Sequence, residues 1–380
     1  MKLRLLILQL TLPFLCQQAN AGFSCKSILS NHPSTLRLSP YKRDPHEIGD
    51  SDHSKDAVEA LAPHIKGTRI PPHTREQCYG TCYAYSNAVL VENALKQQHI
   101  IPADGLLLTA PILSATALRR MREKPGLSIE ESINGGNSDL MYDLSNSSIF
   151  YVTGENIASL GSSKNLLSLE TSFFREFAEG SFKYRGQGLK EVLLQGAIFS
   201  PQRNTTLAFQ EYVKQKTGVP LNVSRASISS IRFFNIQTHI YESQNFLISS
   251  HISTATHPAP RNTQFEVGNF LRLGRMLPGS PFSFASSNFM EKLLPSLIKK
   301  LKEDHFVRIS FQGDVFGEPH TVILTNLVIN RDNNTLLGFL FLNSHSTHWG
   351  SHGYGFVSVQ ELLSYATGYE ILNHLEVVRP

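Results

Sequence analysis

The chain has 380 residues, 41% hydrophobic and 17% charged, with a formal net charge of +4 at pH 7. That length can bury a large core, as one enlarged domain or two small ones, and the composition is that of a globular chain rather than a disordered one. The modest charge, with no aromatic-basic patch, argues against a nucleic-acid partner.

Residues 1–21 read as a secretory signal. Lys2 and Arg4 precede the apolar run Leu5 to Leu15, and Ala19-Asn20-Ala21 is a small-x-small cleavage site. The run is too short to stay in a bilayer as a permanent helix, and no later segment is long and apolar enough. Cys16 follows the bulky pair Phe14-Leu15, which does not suit a lipid anchor. The expectation is an exported chain, secreted or periplasmic, without stable membrane insertion.

Residues 22–70 read as an N-terminal arm or a short pro-segment, turn-rich at first, with one short helix expected over Asp56 to Ile65. Residues 71–144 read as a helical half. Its strongest element runs from Cys82 to about Gln98, where Tyr83, Ala84, Val89, Leu90, Val91, Ala94 and Leu95 recur at helical spacing. Asn87, Glu92, Asn93 and Lys96 are available for an outer face. Leu106 to Arg122 predicts more helix around Pro111, Asn134-Gly135-Gly136 a turn, and Asp139 to Leu144 the start of another helix. Residues 145–285 read as an insertion, Ser-, Asn- and Thr-rich, with one helix over Thr206 to Lys216 and strand-like runs at Ile231 to Phe234 and Phe246 to Ile248. Large surface insertions cost little in loop entropy and often carry recognition.

Residues 286–380 read as a β half. A helix over Leu297 to Glu303 precedes strands at Phe306 to Phe311, Val322 to Ile329, Gly338 to Leu342 and Tyr354 to Val359. Ser358 is placed to cap a short helix through Leu363, and Glu370 to Val378 returns as the last strand. Helices followed by antiparallel strands make the fold class α+β.

The chemistry concentrates in Gln77-Cys78-Tyr79-Gly80-Thr81-Cys82. A Cys in the first turn of a helix has its thiolate stabilised by unpaired N–H groups and the positive end of the helix dipole. Gly80, without a Cβ, lets a backbone or substrate come close. A lone helical Cys is more often a small buried hydrophobe, so this reading needs partners elsewhere in the chain.

Those partners come with a resemblance. Gly80-Thr81-Cys82-Tyr83-Ala84-Tyr85-Ser86 resembles the nucleophile motif of papain-like cysteine peptidases. Pro319-His320-Thr321-Val322-Ile323-Leu324 is similar to that family's catalytic-His strand, and Asn343-Ser344 through Trp349-Gly350 to Gly353-Tyr354 to its Asn-Ser-Trp-Gly stretch. Asn134-Gly135-Gly136 resembles the Asn-Gly-Gly that edges the family's substrate cleft. The resemblance implies a two-part fold with the cleft between a helical and a β half. It makes Cys82 the nucleophile, His320 the base, Asn343 the residue that orients the base, and Gln77 the oxyanion donor. Gly135 and Gly136 would bind a substrate strand, and Thr321 would floor a side-chain pocket.

Some positions depart from the family. Gln77 lies one residue nearer the nucleophile than the family's glutamine. Tyr83 replaces a Trp, and Tyr79 and Ile133 occupy the positions of the usual disulfide. His345 stands where the family has a Trp shielding the His–Asn hydrogen bond, so that bond is expected to be wetter here. In all, 238 positions separate Cys82 from His320, against roughly 130–150 in the family. With Cys82 free, Cys25 and Cys78 either bridge or leave Cys25 unpaired in a tail. His345, His348 and His352 lack the Cys or carboxylate partners that zinc sites usually add. The implied activity is a cofactor-free, monomeric cysteine endopeptidase acting on proteins or peptides through a thiolate–imidazolium pair. The alternatives are a related Cys-His acyl transferase or amidase, which Asn343 disfavours, and a non-catalytic binding scaffold.

Overall fold

The computed structural model describes residues 37–39, 41–66, 74–134, 148–195, 201–240, 248–257, 265–266, 271–272, 294–311 and 313–378. The signal, Cys25, Gly135, Gly136 and Asp139 to Leu144 lie outside the described residues.

The arm opens with β1 (Arg37–Leu38), α1 (Pro45–Gly49), α2 (Ser51–Leu61) and β2 (Ile65–Lys66). Helix α2 starts five residues before Asp56 because Asp50 caps it, accepting from the N–H groups of Asp52 and His53 at 2.9 Å. Helix α3 (Cys82–Gln97) follows, then β3 (Leu106–Leu107), α4 (Ala110–Glu123) and α5 (Ile129–Ile133). Leu106 and Leu107 are strand rather than helix, paired with β4 (Ser148–Val152). Pro111 sits in the first turn of α4, where its missing N–H has no helical partner to lose.

The expected outer face of α3 does not exist. Asn87, Glu92 and Asn93 are buried, because α3 is wedged between α4 on one side and the sheet on the other. Asn93 donates to Asp304 O at 3.2 Å, and Glu92 takes an Arg75 guanidinium, Lys96 Nζ and the N–H of Leu107.

The region read as an insertion supplies core. It contains α6 (Gly154–Ser159), α7 (Ser163–Glu179), α8 (Leu189–Gln195) and α9 (Pro201–Thr217). Leu166, Phe173, Phe174 and Phe177 of α7 and Phe209 and Tyr212 of α9 belong to the same buried cluster as Tyr83 and Leu90 of α3. Burying side chains of this size stabilises by about 1.5–3 kcal/mol each, which a surface insertion could not supply.

The remaining elements are β5 (Ser224–Ile240), β6 (Ile248–His257), β7 (Phe265–Glu266), β8 (Leu271–Arg272), α10 (Leu294–Lys302), β9 (Val307–Phe311), α11 (Gly313–Phe316), β10 (His320–Asn330), β11 (Thr335–Leu342), β12 (Tyr354–Ser358), α12 (Val359–Tyr365) and β13 (Ala366–Val378). Ser358 and Glu361 form the expected cap of α12 as a reciprocal box. The sheet runs β1-β11-β10-β9-β13-β5-β4-β3, with β12 and β2 alongside. Its pairs are antiparallel apart from β1 with β11. The fold is α+β, with helices in the N-terminal half and a curled antiparallel sheet in the C-terminal half, the two-part layout the resemblance implies. Among the described residues no helix is long and apolar enough to cross a membrane.

Candidate active site

Cys82 is the first residue of α3, with Thr81 at the cap, so its N–H lacks a helical acceptor. The loop before it is held from several sides. Gly80 N–H donates to Asn134 Oδ1 at 2.8 Å, Thr81 Oγ1 to Cys78 O at 2.6 Å, and Tyr83 OH to Ile133 O at 2.8 Å. Tyr79 adopts φ 60°, a left-handed conformation that costs a bulky residue free energy and persists only where the surroundings enforce it. Upstream, Arg75 is buried with two carboxylates: its guanidinium meets Glu92 Oε2 at 2.5 Å and Glu170 Oε2 at 3.8 Å, and donates to Leu107 O and Thr109 Oγ1.

His320 opens β10 and Asn343 follows directly on β11. The antiparallel register that pairs Ile323 with Leu342 brings these two ends together. His320 Nε2 and Asn343 Oδ1 are 2.7 Å apart. The backbone N–H of His345 also donates to that Oδ1, at 3.3 Å, which identifies the atom as the amide oxygen. Nε2 therefore carries the proton and Nδ1 the lone pair. Among the described residues Nδ1 has no hydrogen-bond partner.

This hydrogen bond is dry. His320 is 1% exposed and Asn343 0%, against the expectation that His345 would leave the bond wet. The reason is a ring the sequence did not point to. Phe316, at the end of α11, lies 4.6 Å from the His320 ring, and His345 lies 4.3 Å from it. Trp349 closes the group at 6.2 Å from both Phe316 and His345.

Gln77 is brought to the same place. Its N–H donates to Ser344 O at 2.8 Å and its Oε1 accepts from Ser344 Oγ at 2.7 Å. That bond takes the oxygen of the side-chain amide and leaves the NH₂ as the donor end. Thr321, next to His320, stands by the Cys82 thiol, where its polar groups oppose the effect of burial. Its carbonyl accepts from Ser86 Oγ at 3.1 Å, and its Oγ1 lies 3.4 Å from Ser310 Oγ. His320 and Asn343 are in direct contact, Gln77 joins them through Ser344, and Thr321 stands by Cys82. Cys78 is a buried free thiol. Among the described residues no group of His, Cys, Asp and Glu is placed to hold a metal ion.

The charge state differs from the expected ion pair. Burial pushes the Cys82 thiol up, opposed by the polar groups of Thr321 and the Arg308 guanidinium. Burial, helped by His345, pulls the His320 imidazole down to about 3 despite the Asn343 bond. Thiol and imidazole are both neutral at pH 7, because burial disfavours the charged form of each. Cys78 is pushed up to about 11, also by burial.

No family model matches the chain, and no curated protein matches it. Among solved structures, the chain is similar to PepW from Lactobacillus rhamnosis HN001, at 12% identity over 95% of this chain and 91% of that one, with a TM-score of 0.36. It is also similar to a structure from work on antibody cross-reactivity between the mite allergens Blo t 1 and Der p 1. There the identity is 11% over 92% of this chain and 90% of that one, and the TM-score 0.38. Likenesses of this size say nothing about activity, so the chemistry rests on the residues.

Proposed function

We propose that the chain is an exported cysteine endopeptidase of the papain-like kind, acting on proteins or peptides as a monomer. The observation that carries this reading is the buried His320–Asn343 bond, which fixes the tautomer with its lone pair on Nδ1.

In the reaction the Cys82 thiol gives its proton to His320 Nδ1. The thiolate attacks the scissile carbonyl carbon, and the carbonyl oxygen becomes an oxyanion that the Cys82 N–H and the Gln77 NH₂ receive. The imidazolium, held through Nε2–H to Asn343 Oδ1, returns the proton to the leaving amine as the C–N bond breaks. Water then attacks the thioester with His320 as base, releasing the acid and the free thiol.

A second reading, a binding scaffold on the same fold, is favoured by the neutral resting pair. Alkylation separates the two. Iodoacetamide or an epoxysuccinyl reagent should label Cys82 ahead of Cys78, and Cys82→Ala should lose at least about a thousandfold in peptide hydrolysis. Labelling of Cys82 with no hydrolysis of any unfolded protein would establish the scaffold.

A further inference from the structure

The described part of the N-terminal arm is built into the site. Arg43 gives its backbone N–H and its Nε–H to Glu361 Oε1, both at 2.8 Å, and a guanidinium NH₂ to Phe356 O at 2.6 Å. Ser358 Oγ donates to Tyr41 O at 2.6 Å, and Tyr365 OH to Arg43 O at 3.2 Å. Helix α1 then buries Ile48 completely, in one cluster with Val315 and Trp349.

From there the arm reaches both parts of the aromatic group around His320. Trp349 Nε1–H donates to Gly49 O at 3.2 Å, and Gly350 N–H to Ser51 Oγ at 2.9 Å. Gly49 also lies flat against α11: a Cβ there would stand 1.8 Å from Val315 O and 3.2 Å from the Cα of Phe316. One short segment therefore touches the loop that carries His345 and Trp349 and the helix that carries Phe316.

We propose that residues 41–54 are a permanent positioning clamp for His320, holding α11 and the 343–353 loop so that Phe316 and His345 stay packed against the imidazole. A leader excised at residue 70 would take the clamp with it, so processing stops short of Tyr41. The clamp's effect on turnover rests on the peptidase reading; its effect on structure does not.

Trp349 is the only tryptophan in the chain, so its fluorescence reports the clamp without any assay of hydrolysis. In full-length Ser51→Ala and Arg43→Gln proteins, Trp349 emission should move to longer wavelength and be quenched more readily by acrylamide, as the loop opens locally. Arg43→Lys, which keeps the charge, should restore part of the change. NMR titration of the His320 ring should move up by about half a pH unit or more, since a wetter imidazole regains basicity. The titratable groups facing it, His345 and beyond that Glu318, are unchanged in these proteins. Where hydrolysis is measurable, kcat should fall with KM held.

Unchanged emission, quenching and His320 titration in folded variants overturns the clamp, as does recovery of active protein cut after residue 66. If Arg43→Gln does not fold, Ser51→Ala decides alone, because it removes a single acceptor from a half-buried position. A protein that hydrolyses nothing leaves the fluorescence and titration to decide the clamp, and only the peptidase reading falls.

Discussion

The two sides of the site are built on different physics. On the Cys82 side the backbone is strained at Tyr79 and pinned by a buried ionic cluster of Arg75, Glu92 and Glu170. On the His320 side the imidazole is boxed by Phe316, His345 and Trp349 and makes one good hydrogen bond, to Asn343. One wall is polar and held by charge, the other aromatic and held by packing. The difference shows why the two reacting groups rest neutral. Burial on either side disfavours a charge, so the ion pair has to be made against a cost in desolvation.

Breaking the ionic wall should have the largest effect on stability. Arg75→Met leaves Glu92 and Glu170 buried without their shared cation, and should cost about 3–5 kcal/mol in urea unfolding. A loss under about 1 kcal/mol would mean that the carboxylates find other partners, and that the wall is not ionic in the sense described.

The aromatic wall is tested next by Asn343→Ala, which removes the bond that sets the His320 tautomer. Turnover should drop by about 10–100-fold while Cys82 still alkylates. Loss of alkylation as well would show that Asn343 supports the fold rather than the base.

A third experiment measures how dry that wall is. Because the folded His320 is held at about 3, below an unfolded value near 6.5, the unfolded chain binds the extra proton between those limits. Stability is therefore complete above pH 6.5 and declines as the pH falls toward 3, by up to about 1.4 kcal/mol per unit from this group. His320→Gln should flatten that decline in urea midpoints taken at pH 7, 5 and 4. A variant that tracks wild type at every pH would place the imidazole in water.

The smallest effect is expected from His345→Trp. Since Phe316 and Trp349 already help exclude water, turnover at pH 7 should stay within about threefold of wild type. A tenfold rise would show that the bond is wetter than its geometry indicates.

Much of this was legible in the residues. Helix α3 began at Cys82 because the apolar spacing after it was strong, and β9 to β13 were readable as apolar runs between turns. The missing parts have physical reasons. Helix α7 carried good signals, Ser162 as cap and Gly180 in a left-handed C-cap, but its polar residues drew the region toward a loop reading. The four residues of α11 are too few for any periodicity, so Phe316 was invisible. The burial of Glu92 and Asn93 could not be read from α3 alone, because the polar groups that satisfy them, Arg75 and Asp304, lie far away in sequence.

The separation between Arg43 and Glu361, 318 positions, has a consequence for how the chain assembles. Contacts this distant in sequence form slowly, and on a growing chain they wait for the last elements to emerge. Helix α3, which carries Cys82, packs mostly on β10 and β13, so its surroundings also wait for the late strands. The arm stays undocked until β12 and α12 exist, and the rings around the histidine settle with it. Both sides of the site are thus completed only in a nearly finished molecule.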